Sequence, residues 1–302
     1  MGAALITSYA WMITKSCIRC GVMRSNGLTG SGPVRSDSCG LADLVVDALA
    51  VPSRAGEVLE LGDGWARRWS AAWRVSGSEV VCPVRDLGSF PVPGCEPVRR
   101  FSWSRGQRHR PGLQFMVSTG LHHGFESLEE ARLLLALDFV GAVAEVVCQP
   151  FRLRFATADG PAGHIPDVLA VTAGGTWLID VRPSDRIGED DRVKFAASAE
   201  AALACGWRYL VVSGWMPYVT ATLDTLSSQR RPLADPPGLQ SVLLDRASAR
   251  PRSFADLVAG TIAPPVARAQ LLHLLWHRGL SIDLALPLTG ATLVRLADGR
   301  RI

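Results

Sequence analysis

Lysine is nearly absent from this chain of 302 residues: Lys15 and Lys194 are the only two, and the other thirty basic residues are arginine. Codon usage in a GC-rich genome explains this bias, together with the abundant alanine, glycine and valine. Charged residues are also few, at 20%, whereas hydrophobic residues make up 48%. This composition excludes a wholly disordered chain, a collagen and a coiled coil, and it predicts a buried core.

The chain also lacks an apolar run long enough to cross a membrane. Stretch 1–15 is too short and has neither a basic start nor a cleavage site, and stretch 131–148 is interrupted by Arg132, Asp138 and Glu145. We therefore expect a cytoplasmic protein without a membrane partner.

The seven cysteines are an odd number in a chain of this length, which argues against a disulfide framework. Cys17 and Cys20 have the spacing of zinc ligands, and Cys39 follows further on. A structural zinc site takes four ligands, usually as two close pairs, and here the second pair is missing. Ordinary reduced cysteines are therefore favoured over a zinc site.

The length fits two ordinary domains and one smaller or looser segment. Residues 1–80 have a weak pattern and predict a poorly defined N-terminal region. Four prolines between residues 83 and 97 predict a linker or an extended arm, and the proline-rich break at 227–238 predicts a domain boundary. We therefore expect one domain over 81–226 and a second over 227–302.

Positive charge is concentrated at residues 99–110, which contain five arginines, His109 and no acid. Two aromatic residues, Phe101 and Trp103, lie between the basic ones. Guanidinium groups neutralise phosphates and aromatic rings stack on bases, so the cluster is typical of a nucleic-acid contact. A solvated basic loop with Trp103 in the core is the alternative. The arginines are Arg99, Arg100, Arg105, Arg108 and Arg110.

From residue 126 onward the pattern becomes regular. Residues 126–139 predict a helix in which Ser127 is the N-cap and Glu130 completes a capping box. The elements predicted next are strands over 144–149, 151–155, 166–171 and 176–182, a helix over 190–205 and a buried strand over 208–215. Such an alternation predicts an α/β domain.

The C-terminal region predicts two helices followed by two short strands. The helices cover 254–260 and 265–279, and the strands lie on either side of residues 288–290. Helix, turn, helix and hairpin is the order of a winged helix. Such a module binds DNA in some proteins and docks onto other proteins elsewhere.

Three carboxylates and an arginine are associated with these elements. Glu130 is on the first helix, Asp167 follows Pro166 at the start of a strand, and Asp180 is near the end of the next strand. Arg182 is two residues further along, so it shares a strand face with Asp180. If the two strands pair, the carboxylates converge, and such carboxylates repel one another unless a cation joins them.

Carboxylate oxygens suit Mg²⁺ or Mn²⁺ rather than zinc. Such an ion lowers the pKa of a bound water and neutralises the charge that develops on a phosphodiester. The set therefore predicts metal-dependent phosphodiester hydrolysis. Taken singly, each acid has a simpler interpretation: Glu130 as a helix cap, Asp167 in a Pro-Asp turn, and Asp180 as the end of a strand.

The sequence resembles the PD-(D/E)XK nuclease superfamily and, within it, the TnsA-like endonuclease subunit of heteromeric transposases. The resemblance covers residues 97–295 and is carried by FSWSRGQRHRPG, STGLHHGFESLEEARLLLALDF, QPF, GHIPDVLAV, WLIDVRP, FADLVAG and HLLWHRGLSIDL. It implies an α/β fold with a restriction-endonuclease-like core, that is a central mixed sheet flanked by helices, and a C-terminal winged-helix-like domain.

The resemblance also implies which residues form the site. The metal-binding acids of the family match Glu130, Asp167 and Asp180. Glu126 and Glu129 are the alternatives at the first of these positions. Arg182 stands where many members have lysine; because arginine stays protonated, it can stabilise charge but cannot act as a general base.

Two further residues are expected to contact DNA beside the arginines of 99–110. Gln149 matches a glutamine that recurs in the family just before a proline. His164 is close to Asp167 in the sequence, and its alternative interpretation is an ordinary polar residue.

The implied function is that of a Mg²⁺-dependent endonuclease that nicks double-stranded DNA at the 5′ ends of a transposon. A TnsB-like transposase and a TnsC-like ATPase are the implied partners. Two other functions stay open: a free-standing restriction, repair or defence nuclease with the same core, and a catalytically inactive adaptor, which Arg182 suggests.

Overall fold

The computed structural model describes residues 32–50, 54–99, 111–141 and 143–298. Within them the chain forms fifteen strands, seven α-helices and five short 3₁₀-helices. The strands are β1 (Val45–Asp47), β2 (Ser70–Val75), β3 (Ser78–Pro83), β4 (Cys95–Glu96), β5 (Gly112–Met116), β6 (Leu121–Phe125), β7 (Val143–Cys148), β8 (Phe151–Thr157), β9 (Gly160–His164), β10 (Val168–Thr172), β11 (Gly175–Val181), β12 (Arg208–Trp215), β13 (Arg252–Ser253), β14 (Leu280–Ser281) and β15 (Leu293–Leu296). The helices are α1 (Trp65–Arg68), α2 (Leu128–Val140), α3 (Glu189–Ala204), α4 (Val219–Ser227), α5 (Leu239–Ala249), α6 (Phe254–Ala259) and α7 (Pro264–Trp276).

A five-stranded mixed sheet carries the elements predicted between residues 126 and 215. Its order is β1-β12-β11-β10-β7, in which β11 and β12 are parallel and the other neighbours are antiparallel. A parallel pair needs a long crossover, and α3 provides it. The predicted mixture of helices and strands is confirmed, and the fold is of the mixed α/β kind.

A second sheet has the order β3-β2-β8-β9, with β4 also paired to β2. Three of its five strands, β2, β3 and β4, come from the N-terminal region and the proline-rich segment, where the sequence predicted no strand. The interpretation of 83–97 as a linker is wrong, because Val84 and Leu87 are fully buried. Phe90 also stacks on Trp73, with 4.7 Å between the ring centroids. The apolar residues between the prolines therefore anchor this segment in the core.

Two hydrophobic clusters cover the two faces of the central sheet. Side chains alternate along a strand, so Val168 and Ile179 belong to one cluster and their neighbours Leu169 and Leu178 to the other. The first cluster includes buried residues of α2, α4 and the C-terminal helices, and the second includes residues of α3 and of the second sheet. In the part of the chain that the structure describes, no helix combines the length and the apolar character needed to cross a membrane.

The C-terminal elements follow one another as α5, β13, α6, α7, β14 and β15, and their strands form a sheet in the order β13-β15-β14. The sequence predicted α6, α7 and the last two strands but missed α5 and β13. Trp276 of α7 packs edge-on against Phe139 of α2, with 5.3 Å between the centroids. The break at 227–238 thus lies between two groups of elements that share a hydrophobic cluster. The division into two domains at this break stays a prediction.

Candidate functional site

Asp167 lies at one end of the central sheet, immediately before β10. The antiparallel register pairs Val168 with Ile179. Asp167 precedes Val168 and Asp180 follows Ile179, so the two aspartates are opposite each other where the pairing ends. One carboxylate oxygen of Asp167 accepts a hydrogen bond from the main-chain N–H of Val181 at 2.7 Å. The two strands do pair, which is the condition that the sequence analysis set, and their pairing places both aspartates at the same end of the sheet.

The Asp180 carboxylate is buried, with 1% of its surface exposed, and two side chains hold it. Nε2 of His164, the last residue of β9 in the second sheet, lies 2.8 Å from Oδ1. The hydroxyl of Tyr209 in β12 donates to Oδ2 at 2.5 Å. Tyr209 stands opposite Leu178 in the parallel pair of β11 and β12, and therefore on the same sheet face as Asp180. Both carboxylate oxygens thus have a partner.

Glu130 is also buried, at 8% exposure, but it is held by its own helix. Its Oε2 accepts a hydrogen bond from the N–H of Glu126 and its Oε1 one from the hydroxyl of Ser127, both at 2.8 Å. The same hydroxyl accepts a hydrogen bond from the Glu130 N–H at 3.2 Å. The predicted N-cap at Ser127 is therefore confirmed. The reciprocal bond from the Ser127 N–H to Glu130, which completes a capping box, stays a prediction.

The two alternatives to Glu130 have other partners. Glu129 accepts a hydrogen bond from the indole N–H of Trp215 at 2.7 Å and forms an ion pair with Arg132. The Glu126 carboxylate lies 3.5 Å from the guanidinium of Arg99. Of the three glutamates, Glu130 is the one that the structure buries in the first turn of α2.

Negative charge accumulates around Asp167. Burial raises the pKa of its carboxyl well above the usual value, and the charges of Asp180 and then Glu130 raise this pKa further. Burial and the charges of Glu130 and Asp167 also raise the pKa of the Cys148 thiol to about 12. The three carboxylates are therefore close enough to repel one another.

This donor set fits Mg²⁺ or Mn²⁺ in its chemistry, because hard cations prefer carboxylate oxygens and would offset the repulsion at Asp167. Among the described residues, however, no three acidic, histidine or cysteine side chains are placed to share one ion. The oxygens of Asp180 and Glu130 are bound by protein donors instead.

Arg182 follows the end of β11 and is 46% exposed. Its Nε lies 3.3 Å from the carboxylate of Asp191, in the first turn of α3, and donates to the main-chain oxygen of Arg186 at 3.2 Å. These two contacts direct the guanidinium toward the start of α3. Its predicted role in catalysis stays a prediction.

Gln149 lies beside Asp167 but is buried, with 2% exposed. Its N–H donates to the main-chain oxygen of Asp167 at 2.7 Å, and its φ of +50° is in the left-handed region that most residues avoid. Its Oε1 has no hydrogen-bond partner among the described side chains and main-chain groups. The His164 side chain is mostly buried as well and contacts Asp180. For both residues a contact with DNA stays a prediction.

Of the basic cluster at 99–110 the structure describes Arg99, whose side chain is exposed beside Glu126. Cys39, also described, is a buried free thiol. The remaining predicted arginines and the close cysteine pair lie outside the described residues, namely Arg100, Arg105, Arg108, Arg110, Cys17 and Cys20.

Sequence reasoning did not identify Tyr209, and it assigned His164 no contact with Asp180. One signal was present for the tyrosine: it is one of three in the chain and directly precedes the apolar run 210–212. Its partner could be named only from the parallel pairing of β11 with β12. No family model matches this sequence, and no curated protein is significantly similar to it.

Proposed function

We propose that this protein is a divalent-cation-dependent DNA endonuclease with a restriction-endonuclease-like core, similar to the TnsA-like subunits of heteromeric transposases. One observation carries the proposal: Asp167 lies at one end of a mixed sheet, close enough to Asp180 and Glu130 for their charges to raise its pKa. Carboxylates crowded in this way are typical of sites that bind a hard cation.

In this proposal Asp167, Asp180 and Glu130 hold the cation, Mg²⁺ or Mn²⁺, once the Glu130 side chain leaves its contacts at the start of α2. When bound, this ion supplies a water of lowered pKa and positive charge near the scissile phosphate. The protein's own contribution is to fix the carboxylates: the main-chain N–H of Val181 holds Asp167, and two side chains hold Asp180.

Arg182 stabilises the negative charge of the phosphate in this proposal. Its guanidinium keeps its charge at any physiological pH and donates in a fork that matches phosphate oxygens. Its ion pair with Asp191 is partly exposed, and exposed pairs contribute only about 0.2–1 kcal/mol. A phosphate can therefore displace Asp191 at little cost.

The cleaved substrate would be double-stranded DNA at the 5′ ends of a transposon, with a TnsB-like transposase and a TnsC-like ATPase as partners. The C-terminal order of α5, β13, α6, α7, β14 and β15 supports a winged-helix-like module. The residues that α7 buries include Leu271, Leu275 and Trp276, and Trp276 contacts α2. This burial favours a docking module over one that inserts α7 into a DNA groove.

The deciding experiment measures Mg²⁺-dependent nicking of transposon-end DNA in the presence of both partner proteins. We expect the wild type to nick and Asp167→Ala and Asp180→Ala to lose activity by at least about 100-fold, as removal of a metal ligand does. Asp159→Ala, on an exposed turn, is the matched control and should nick normally. If wild type and site variants are equally inactive while DNA binding persists, the enzyme proposal fails.

A catalytically inactive adaptor is the second function that an observation favours. Arg182 is paired with Asp191, and Glu130 caps its own helix, so both have structural roles without any substrate. Equal inactivity of the wild type and the site variants would support this adaptor. Nicking of DNA that lacks transposon ends, without the partners, would instead support a free-standing nuclease.

A further inference from the structure

We infer that His164 and Tyr209 are positioning residues that hold the Asp180 carboxylate ready for a divalent cation, an inference that rests on the proposed function. The two side chains reach Asp180 from different sheets. His164 ends β9 of the second sheet, and Tyr209 lies in β12, next to β11 in the central sheet.

The geometry fixes both oxygens of Asp180 at once. His164 Nε2 is 2.8 Å from Oδ1, and the Tyr209 hydroxyl is 2.5 Å from Oδ2. A carboxylate held at both oxygens cannot rotate about its terminal bond without losing a contact. Each oxygen retains a second lone pair, which is the position that a metal ion would use.

The histidine is itself held in place. Its ring lies edge-on to Phe195 of α3, with 6.4 Å between the centroids, and 16% of its side chain is exposed. The Tyr209 ring lies in a strand whose next three residues are buried. Packing against neighbouring residues therefore holds both donors in place beside Asp180.

Hydrogen-bonded outer partners of this kind are typical of carboxylates that bind metals, and their loss lowers metal affinity or activity by about 10–100-fold. A simpler interpretation is that Asp180 needs donors merely because it is buried. The positioning role and the purely structural role predict different results. A structural role predicts lower stability alone, whereas positioning predicts weaker metal binding by molecules that are still folded.

The test measures Mn²⁺ binding to the full-length protein by electron paramagnetic resonance, at a temperature where circular dichroism shows each variant to be folded. The donor-removing variants are Tyr209→Phe and His164→Leu, and His164→Gln keeps a donor at the same position. We expect about a 10–100-fold weaker Mn²⁺ affinity in the first two and partial rescue in the third.

Two controls each remove a hydrogen bond that does not reach a carboxylate. Ser213→Ala removes a donor on β12 that binds the main-chain oxygen of Val46 at 2.9 Å. Thr119→Val removes the 2.8 Å contact to His123 in the hairpin of β5 and β6. Both should bind Mn²⁺ with wild-type affinity.

Asp167→Asn separates the inference from the proposed function. If the wild type binds Mn²⁺, Asp167→Asn does not, and the donor-removing variants bind normally, the positioning role is overturned while the metal site stands. If the wild type binds no Mn²⁺, both fail. If Tyr209→Phe is the only donor-removing variant that folds, its Mn²⁺ affinity alone decides whether the positioning role holds, since this variant keeps the ring and loses only the hydroxyl.

Discussion

Glu130 and Asp180 are both buried carboxylates near Asp167, yet the structure holds them in different ways. Glu130 is bound within its own helix turn, by Ser127 and the N–H of Glu126. Asp180 is bound by side chains 16 and 29 residues away, in two different sheets. One carboxylate is thus fixed by local sequence and the other by the tertiary fold.

This difference determines what each residue does for stability. Removing a helix cap frays one turn, and water can then solvate the freed groups. Removing the partners of Asp180 leaves a charge at 1% exposure without compensation, and a buried unpaired charge is costly. The proposed metal site therefore has a rigid side at Asp180 and a more adaptable side at Glu130.

The largest expected effect comes from removing both donors of Asp180. The double variant His164→Leu/Tyr209→Phe should lower the free energy of unfolding by about 3–5 kcal/mol, because it leaves a buried charge unpaired. Urea denaturation followed by circular dichroism measures this loss. Ser213→Ala, which removes one neutral contact on β12, should cost only about 1 kcal/mol.

The same double variant also tests the contrast between Asp180 and Glu130. If it loses no more stability than Ser213→Ala, Asp180 is not fixed by its two donors, and the contrast with Glu130 disappears. Adding Asp180→Asn to the double variant should restore part of the loss, because the uncompensated charge is then absent.

A smaller effect is expected at the helix cap. Ser127→Ala should lower the free energy of unfolding by about 0.5–2 kcal/mol, the usual cost of an N-cap. Ser248→Ala on the exposed side of α5 is the matched control and should stay within about 0.5 kcal/mol of the wild type. A loss at Ser127 as large as that of the Asp180 double variant would mean that Glu130 depends on the tertiary fold as well.

Local patterns also explain which parts of the fold could be predicted. The N-cap at Ser127, β11 and β12 follow from residues near one another, and the predicted helix over 126–139 matches α2 to within two residues at each end. The pairing of β10 with β11 was only a condition of the sequence analysis, and the structure shows it. The coarse α/β class was therefore accessible without a structure.

The misread segments share a physical cause. Prolines at 83–97 indicated a linker, but Val84 and Leu87 between them are buried by residues far away in the sequence. The contacts of His164 and Tyr209 with Asp180 were missed for a similar reason. His164 reaches Asp180 only because the two sheets pack together, and Tyr209 reaches it only because β12 pairs with β11. Non-local contacts leave little trace in a single sequence.

The smallest expected effect concerns Asp167, whose pKa is raised by burial and by the charges of Asp180 and Glu130. Between the unfolded pKa and this raised value, the folded protein binds more protons than the unfolded chain, so stability falls as the pH rises through that window. Asp167→Asn removes the charge and should raise the melting temperature more at pH 8 than at pH 5. Each kcal/mol gained corresponds to about 2–4 °C in a chain of this size.

Differential scanning fluorimetry at both pH values, with and without Mg²⁺, measures these melting temperatures and tests whether Asp180 and Glu130 belong to one site. Mg²⁺ should stabilise the wild type at pH 8 and leave Asp167→Asn unchanged, because a ligand that binds the folded state raises its stability. If Asp167→Asn changes the melting temperature by the same amount at pH 5 and pH 8, the charges of Asp180 and Glu130 do not destabilise ionised Asp167. Asp180 and Glu130 would then be two separate buried carboxylates rather than the two sides of one site.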